Sequence, residues 1–347
     1  MSEVVGAAAP RIAEYTPVRA LKSGGFANVF VYRQAVMNRD VAVKVLGERF
    51  AGEERMRRFY REATVTASLS THSNIITIHL AGVTDDGRPY LVMEYCSRPN
   101  LEVRYRREQI GVAEVLRIGV RLAGAVETAH RTGILHRDIK PANVLTTEYN
   151  WPALTDFGIS AAIGHADETT ALSVPWAPPE ALEDDVRTDE RADVYSLGAT
   201  LYTLLAGRSP FERPGASNGS LALMDRIQND PLPAIGRDDV PSGFEQVLAR
   251  AMAKRPASRY RSALEFARAL QQVEIGLQLA PTTIDVLDPS PHVEEEEQAT
   301  DSGRTRIRGM VTISSERAVA PPAAAPHTTR PPATMPMAGL VSSDTTT

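Results

Sequence analysis

His136-Arg137-Asp138-Ile139-Lys140-Pro141-Ala142-Asn143, followed closely by Asp156-Phe157-Gly158, is the stretch on which the reading of this chain turns. It gathers Asp138, Asn143 and Asp156, three side chains able to handle a proton and a divalent cation, in one short segment. A carboxylate that accepts a hydroxyl proton needs a neighbouring cation to hold the group under attack, and Lys140 lies two residues on. Asn143 and Asp156 offer oxygen ligands, which a hard cation such as Mg²⁺ prefers. Taken singly, His-Arg-Asp is a common surface triplet and Asp-Phe-Gly a common turn. Their order and spacing are what carry information.

Upstream, Leu21 to Phe30 reads Leu-Lys-Ser-Gly-Gly-Phe-Ala-Asn-Val-Phe, a glycine-rich hairpin whose main-chain N–H groups can approach a phosphate because no Cβ intervenes. Val41 to Leu46 is a β-branched run that predicts a buried strand. A lysine in such a run needs a paired charge, so Lys44 needs a partner. Residues from about Glu53 to Leu69 predict a helix, with Met56, Phe59, Ala63 and Ala67 as its apolar stripe and Glu62 on its border. Strands are expected over Ile75 to Val83 and Pro89 to Tyr95, joined by an Asp85-Asp86-Gly87 turn. Downstream, Val115, Ile118, Leu122, Ala125, Val126 and Ala129 share one face of a helix over Val112 to Arg131, with Gly133 as its stop. A second helix opens at Asp193, carries Val194, Leu197, Leu201 and Leu205, and stops at Gly207.

The pattern H-R-D-x-x-x-x-N followed by D-F-G resembles the catalytic and metal loops of protein kinases. The chain is similar to the bacterial, eukaryotic-like Ser/Thr protein kinases of actinobacterial type, over Tyr15 to Ile275 and on six separately spaced motifs. The resemblance implies an α+β, bilobal fold: a small antiparallel β-sheet lobe with one helix, a larger mainly helical lobe, and a disordered C-terminal tail. It divides the chain into an N-terminal extension (1–14), a kinase domain (15–275, small lobe about 15–95, large lobe about 96–275) and a tail rich in Pro, Thr and Ala (276–347).

The site residues follow from the same resemblance. Asp138 orients and deprotonates a Ser or Thr hydroxyl, and Lys140 steadies the γ-phosphate. Asn143 and Asp156 hold Mg²⁺, with Mn²⁺ as a substitute. ATP is contacted by Leu21, Gly24, Val29, Ala42 and Lys44, with Glu62 pairing Lys44. Met93 takes the gatekeeper place, Glu94 and Cys96 belong to the hinge, and Leu145 closes the adenine pocket. Lys22 stands where the family carries its first glycine, a departure that leaves open whether its ammonium touches nucleotide or solvent. Lys140-Pro141-Ala142-Asn143 resembles the Ser/Thr rather than the tyrosine kinases.

Ile159 to Pro179 is the expected activation segment. Thr169 and Thr170 are its candidate phosphosites, and Arg137 is the arginine that such a phosphate would pair with. Ser173 is expected to contact the catalytic loop. Ala177-Pro178-Pro179-Glu180 resembles the A-P-E motif with an extra proline, its Glu180 pairing Arg259, and Asp193 is expected to anchor the catalytic loop through its backbone. Two other functions compete with an active kinase. One is a nucleotide-binding pseudokinase scaffold, which Lys22 and the unusual Val174-to-Pro178 segment support. The other is a small-molecule phosphotransferase, which Glu180 and Arg259 disfavour.

Composition is consistent with this outline. The 347 residues suggest about two domains on a prior of ~150 residues each. The hydrophobic share of 43% suffices for a large core. A net charge of −5 does not favour nucleic acid as a partner. Cys96 is the single cysteine, so no intrachain disulfide forms, and a cytoplasmic location is expected. The N-terminus does not read as a signal peptide, and no run of ~18 apolar residues marks a membrane span. From about Gly276 helical period is lost and the chain reads as disordered. Within that tail, Thr305 is a candidate site for a phosphothreonine-binding partner, and Arg306 to Ile313 alternates like a short strand. Protein substrates with Ser or Thr are the partners implied, and the resemblance adds a homodimer through the back of the small lobe.

Overall fold

The computed structural model describes residues 9–24, 27–47, 53–157, 173–183 and 188–288, excluding the side chains of residues 53–55, 58 and 62. Five strands form one antiparallel sheet: β1 (Tyr15–Ser23), β2 (Ala27–Gln34), β3 (Arg39–Leu46), β4 (Ile78–Val83) and β5 (Pro89–Glu94), in the order β1-β2-β3-β5-β4. The run Val41 to Leu46 lies in the middle of that sheet, which is why it is apolar on both faces. Val41, Val43 and Val45 pack under β2 with Phe30 and Tyr32, while Ala42 and Leu46 face the other way, against helix α1 (Glu53–Ser68). Among the described side chains of α1, Phe59, Ala63 and Thr66 are buried.

The strand expected from Ile75 begins only at Ile78. Ile75 and Ile76 are drawn into the large lobe, while the Thr77 carbonyl accepts from the Glu94 N–H of β5 at 2.9 Å. Ile75 bridges Leu154, and the Ile76 N–H donates to the Leu154 carbonyl at 2.9 Å. Backbone groups in a buried turn must find partners, and a neighbouring strand supplied them before β5 could.

The larger lobe is helical: α2 (Leu101–Arg107), α3 (Val112–Arg131), α4 (Glu190–Ala206), α5 (Ser220–Asn229), α6 (Ser242–Ala251) and α7 (Ala263–Gly276). A short hairpin, β6 (Val144–Thr146) with β7 (Pro152–Leu154), follows the catalytic loop. α2 escaped the sequence reading. Its seven residues are too few to show a period, and it depends on Asn100, whose side chain accepts from the Val103 N–H at 2.9 Å. α3 keeps its expected bounds. α4 starts one turn earlier than expected, because Asp189 caps it. Every residue from Ala192 to Leu205 is buried, so α4 is the axis of this lobe. Each fully buried Leu on it contributes about 1.5–3 kcal/mol. Gly207 ends the helix in the left-handed region at φ 70°, where a Cβ would be strained.

Past the boundary expected near Gly276 the chain still makes contacts with the large lobe. After a turn at Leu277 and Gln278, where Gln278 takes the left-handed conformation at φ 58°, residues 279–288 run without helix or strand over α3 and α7, with Leu279 and Ile284 packed on the core. Their order comes from tertiary contacts rather than from any local period. The remaining tail features, Thr305 and the segment 306–313, lie outside the described residues. Among the described residues no helix is long and apolar enough to cross a membrane.

Candidate active site

The site grows from Asp193, in the first turn of α4. Its carboxylate is 1% exposed and accepts from the main-chain N–H of His136 (2.8 Å) and of Arg137 (2.8 Å). The His130 imidazole lies 2.8 Å from the same carboxylate. Burial alone would push the Asp193 carboxyl up, yet these hydrogen bonds and the two histidines hold it below its ordinary value. Fixing two consecutive N–H groups from one side forces the loop into a tight turn, and Arg137 takes the left-handed conformation at φ 64°. The anchoring role expected of Asp193 is therefore seen directly. His130 was not singled out from the sequence, since it reads there only as one polar residue ending an apolar helix.

Downstream of this anchor the catalytic loop is closed by its own side chains. The Asn143 amide nitrogen donates to the Asp138 carbonyl (2.9 Å) and to Asp138 Oδ2 (2.9 Å). Lys140 Nζ donates to the same Oδ2 at 2.7 Å and to Ser173 Oγ at 2.5 Å. Ser173 thus meets the catalytic loop, as expected. Asp138 presents its other oxygen, Oδ1, without competition from these donors. Asn143 uses its nitrogen inward, which leaves its carbonyl oxygen as the end suited to a cation.

Asp156 completes the set from the far end of β7. Lys44 Nζ on β3 donates to its Oδ1 at 2.8 Å, so the two lobes meet at this ion pair. Asp156 also lies in the left-handed region, at φ 72°. His136 Nε2 pairs with the Thr155 carbonyl (3.0 Å), and its ring packs on Phe157 with centroids 4.5 Å apart, so His136 links the two loops. Burial would raise the Asp156 carboxyl, but Lys44, His136 and Lys22 outweigh it and hold the group below its ordinary value. The Lys22 side chain is exposed, and its contribution is the smallest of these.

The sign of the resulting pH dependence follows. A carboxylate whose pKa is lowered by folding adds stability that is fully present above its unfolded value and is lost as pH falls through the folded one. Asp156 and Asp193 both behave so. The thermal midpoint is expected to change little on the acid side down to about pH 4 and to fall steeply below it. A midpoint measured by circular dichroism that stayed level to pH 3 would contradict these ion pairs.

The adenine-pocket residues converge only in part. Val29, Ala42, Met93, Cys96 and Leu145 belong to one apolar cluster beneath the β-sheet. Glu94 ends β5 beside them. Leu21 and Gly24 lie on the exposed β1 edge, with the Gly24 N–H donating to Asn28 Oδ1 at 3.4 Å. The Cys96 thiol is pushed up to about 12 by burial, with Glu94 and Glu148 adding to the effect, so it is not a reactive thiol. The Glu62 side chain, Gly158, Thr169 and Thr170 lie outside the described residues, so the Lys44–Glu62 pair is not seen.

Glu180 and Arg259 form the pair expected of them. Arg259 donates to both Glu180 oxygens, at 2.6 and 2.7 Å. It also donates to the carbonyls of Ala253, Lys254 and Arg191.

A β-sheet lobe and a helical lobe joined by a Lys–Asp pair over an anchored H-R-D loop define a protein kinase domain, and the family model described as "Protein kinase domain" matches residues 15–272. The chain belongs to this family. Among curated proteins it is similar to serine/threonine-protein kinase PknK of Mycobacterium bovis, with 39% identity over 266 residues, covering 76% of this chain and 24% of PknK. It is also similar to serine/threonine-protein kinase PrkC of Bacillus subtilis, with 35% identity over 255 residues, covering 72% of this chain and 39% of PrkC. The chain thus spans well under half of either relative. Among solved structures, the PknI kinase domain of M. tuberculosis matches with TM-score 0.59 and 30% identity, covering 77% of this chain and 98% of that one.

Proposed function

We propose that this protein is an ATP-dependent Ser/Thr protein kinase that moves the γ-phosphate of ATP to protein hydroxyls. The observation that carries the reading is the convergence of Lys44, Asp156, Asn143 and Asp138 from three separate parts of the chain. The donor set fits the cofactor. Asp156 and the side-chain Oδ1 of Asn143 offer two oxygens, and Mg²⁺ takes one or two protein oxygens with phosphates and water completing its octahedron. When bound, Mg²⁺ neutralises phosphate charge. Mn²⁺ fits the same oxygens.

The chain's own residues position and deprotonate. Lys44 is on hand for the α- and β-phosphates once Asp156 turns to the cation. Lys140 and Asn143 pin Asp138 Oδ2, so Oδ1 faces the incoming hydroxyl and takes its proton. Lys140 is then placed to balance the charge of the transferred group. The Lys140–Ser173 contact ties the segment that would present the substrate to the base. Phosphoryl transfer asks a protein chiefly for such positioning and charge balance.

The same reading includes autophosphorylation at Thr169 or Thr170, answered by the exposed Arg137, and a cytoplasmic setting that a single unreactive cysteine suits. A phosphothreonine-binding partner for the tail and pairing of small lobes rest on the resemblance alone. The test is incubation with [γ-³²P]ATP, Mg²⁺ and a basic protein, followed by phosphoamino-acid analysis. Label in phosphoserine and phosphothreonine is expected. Label in neither the enzyme nor the added protein would favour the scaffold reading.

A further inference from the structure

Beyond residue 272, where the family match ends, the chain continues into a segment with specific partners. Thr282 is fixed by the buried Glu274 carboxylate, which accepts from its N–H (2.7 Å) and its hydroxyl (2.6 Å). The Thr282 carbonyl accepts from Gln271 Nε2 at 2.7 Å. Further on, the Leu287 N–H donates to Thr128 Oγ1 at 3.1 Å, and Arg131 pairs with Asp288. Between these points the main chain passes so close to α3 that a Cβ on Gly124 would meet the Asp285 carbonyl. Glycine is unfavourable within a helix, and here the lack of a side chain makes room for the crossing.

The segment also reaches the turn between α1 and β4. His72 is 2% exposed, and its Nδ1 accepts from the Asn74 N–H at 3.0 Å. Its Nε2 therefore carries the proton and donates to the Asp285 carbonyl, 3.0 Å away. The Asn74 carbonyl in turn accepts from the Leu154 N–H at 2.8 Å, and the Thr155 N–H donates to the Asn143 carbonyl at 3.0 Å. A short chain of contacts thus joins Asp285 to His72, Asn74, Leu154 and the two residues proposed to hold the cation.

We propose that residues 277–288 are a positioning strap for phosphoryl transfer. Docked over Gly124, the strap holds His72, the 72–76 turn and β7, and so the placement of Asp156. His72 is a positioning residue, acting through Asn74 and Leu154. The activity arm of this inference rests on the kinase reading, while the exchange arm does not.

The test uses the full chain and two independent ways to lift the strap: Gly124→Leu, which fills the crossing, and the pair Leu279→Ser with Ile284→Ser, which unseats its apolar contacts. A variant is scored if it unfolds cooperatively. Amide hydrogen exchange at 277–288 and at 72–76 and 153–156 is expected to rise in both. kcat is expected to fall by roughly tenfold to a hundredfold, with KM for the protein substrate unchanged, since a displacement of about 1 Å costs up to ~10². Leu279→Met is expected to keep wild-type values. Faster exchange in the strap alone, with the 72–76 turn and kcat as in the wild type, would overturn the proposal. If the wild type transfers no phosphate, the kinase reading fails, and the exchange pattern alone decides the strap.

Discussion

Asp138→Asn is expected to lower phosphoryl transfer by about 10²–10⁴-fold while leaving the fold intact. Asparagine keeps the shape of the side chain and can still meet Lys140. It cannot take a proton from a hydroxyl: its oxygen keeps the two hydrogen bonds that Oδ2 now accepts, and its NH₂ group stands where Oδ1 would receive the proton. The substitution therefore removes the base while keeping the contacts that aim it. Single-turnover measurements should show slower chemistry with ATP affinity near the wild-type value. Activity within tenfold of the wild type would mean that Asp138 Oδ1 is not where the proton goes.

The largest stability effect is expected at Arg259. Its side chain is fully buried, and its guanidinium spreads its donors over Glu180 and three carbonyls while lying 4.9 Å from the Tyr195 ring centroid. Arg259→Met keeps volume and removes the charge. Glu180, itself 13% exposed, is then left without its partner. Breaking one side of a buried pair costs about 3–5 kcal/mol. For a domain of this size that lowers the thermal midpoint by roughly 6–20 °C. Arg259→Met with Glu180→Leu should recover part of the loss, because no charge is then stranded. A midpoint within 2 °C of the wild type in the single variant, on the scale of roughly 2–4 °C per kcal/mol, would show that the pair is not structural.

Much of the site could be read from the chain because its chemistry is concentrated in short, rigidly spaced segments. Asp138, Lys140 and Asn143 meet within one loop, so their spacing alone nearly determines their contacts. Asp193 and Arg259 were legible through resemblance, and the geometry agrees for a plain reason. A buried carboxylate or guanidinium persists only where donors or acceptors converge on it. The converse explains what was missed. His130 gave no signal because its partner lies 63 residues away. The strap over 277–288 carries five large aliphatic residues among its twelve but no helical period, so the reading by period passed over it. Its order depends on a glycine in α3 and a carboxylate in α7, neither of which is visible in its own sequence. The start of β4 moved for a similar reason, since Leu154 competes for the backbone of residues 75 and 76. Local pattern describes elements well. It does not show which distant backbone will claim their ends.

The central claim is that Lys44 and Asp156 together receive a nucleotide and its cation. Titration calorimetry of ATP into the wild type and into Asp156→Asn, with and without Mg²⁺, tests it most directly. Tight binding that depends on Mg²⁺ is expected in the wild type, and loss of the Mg²⁺ dependence is expected in the variant. Equal ATP affinity with Mg²⁺ and with EDTA in the wild type, or an unchanged Mg²⁺ dependence in Asp156→Asn, would contradict it.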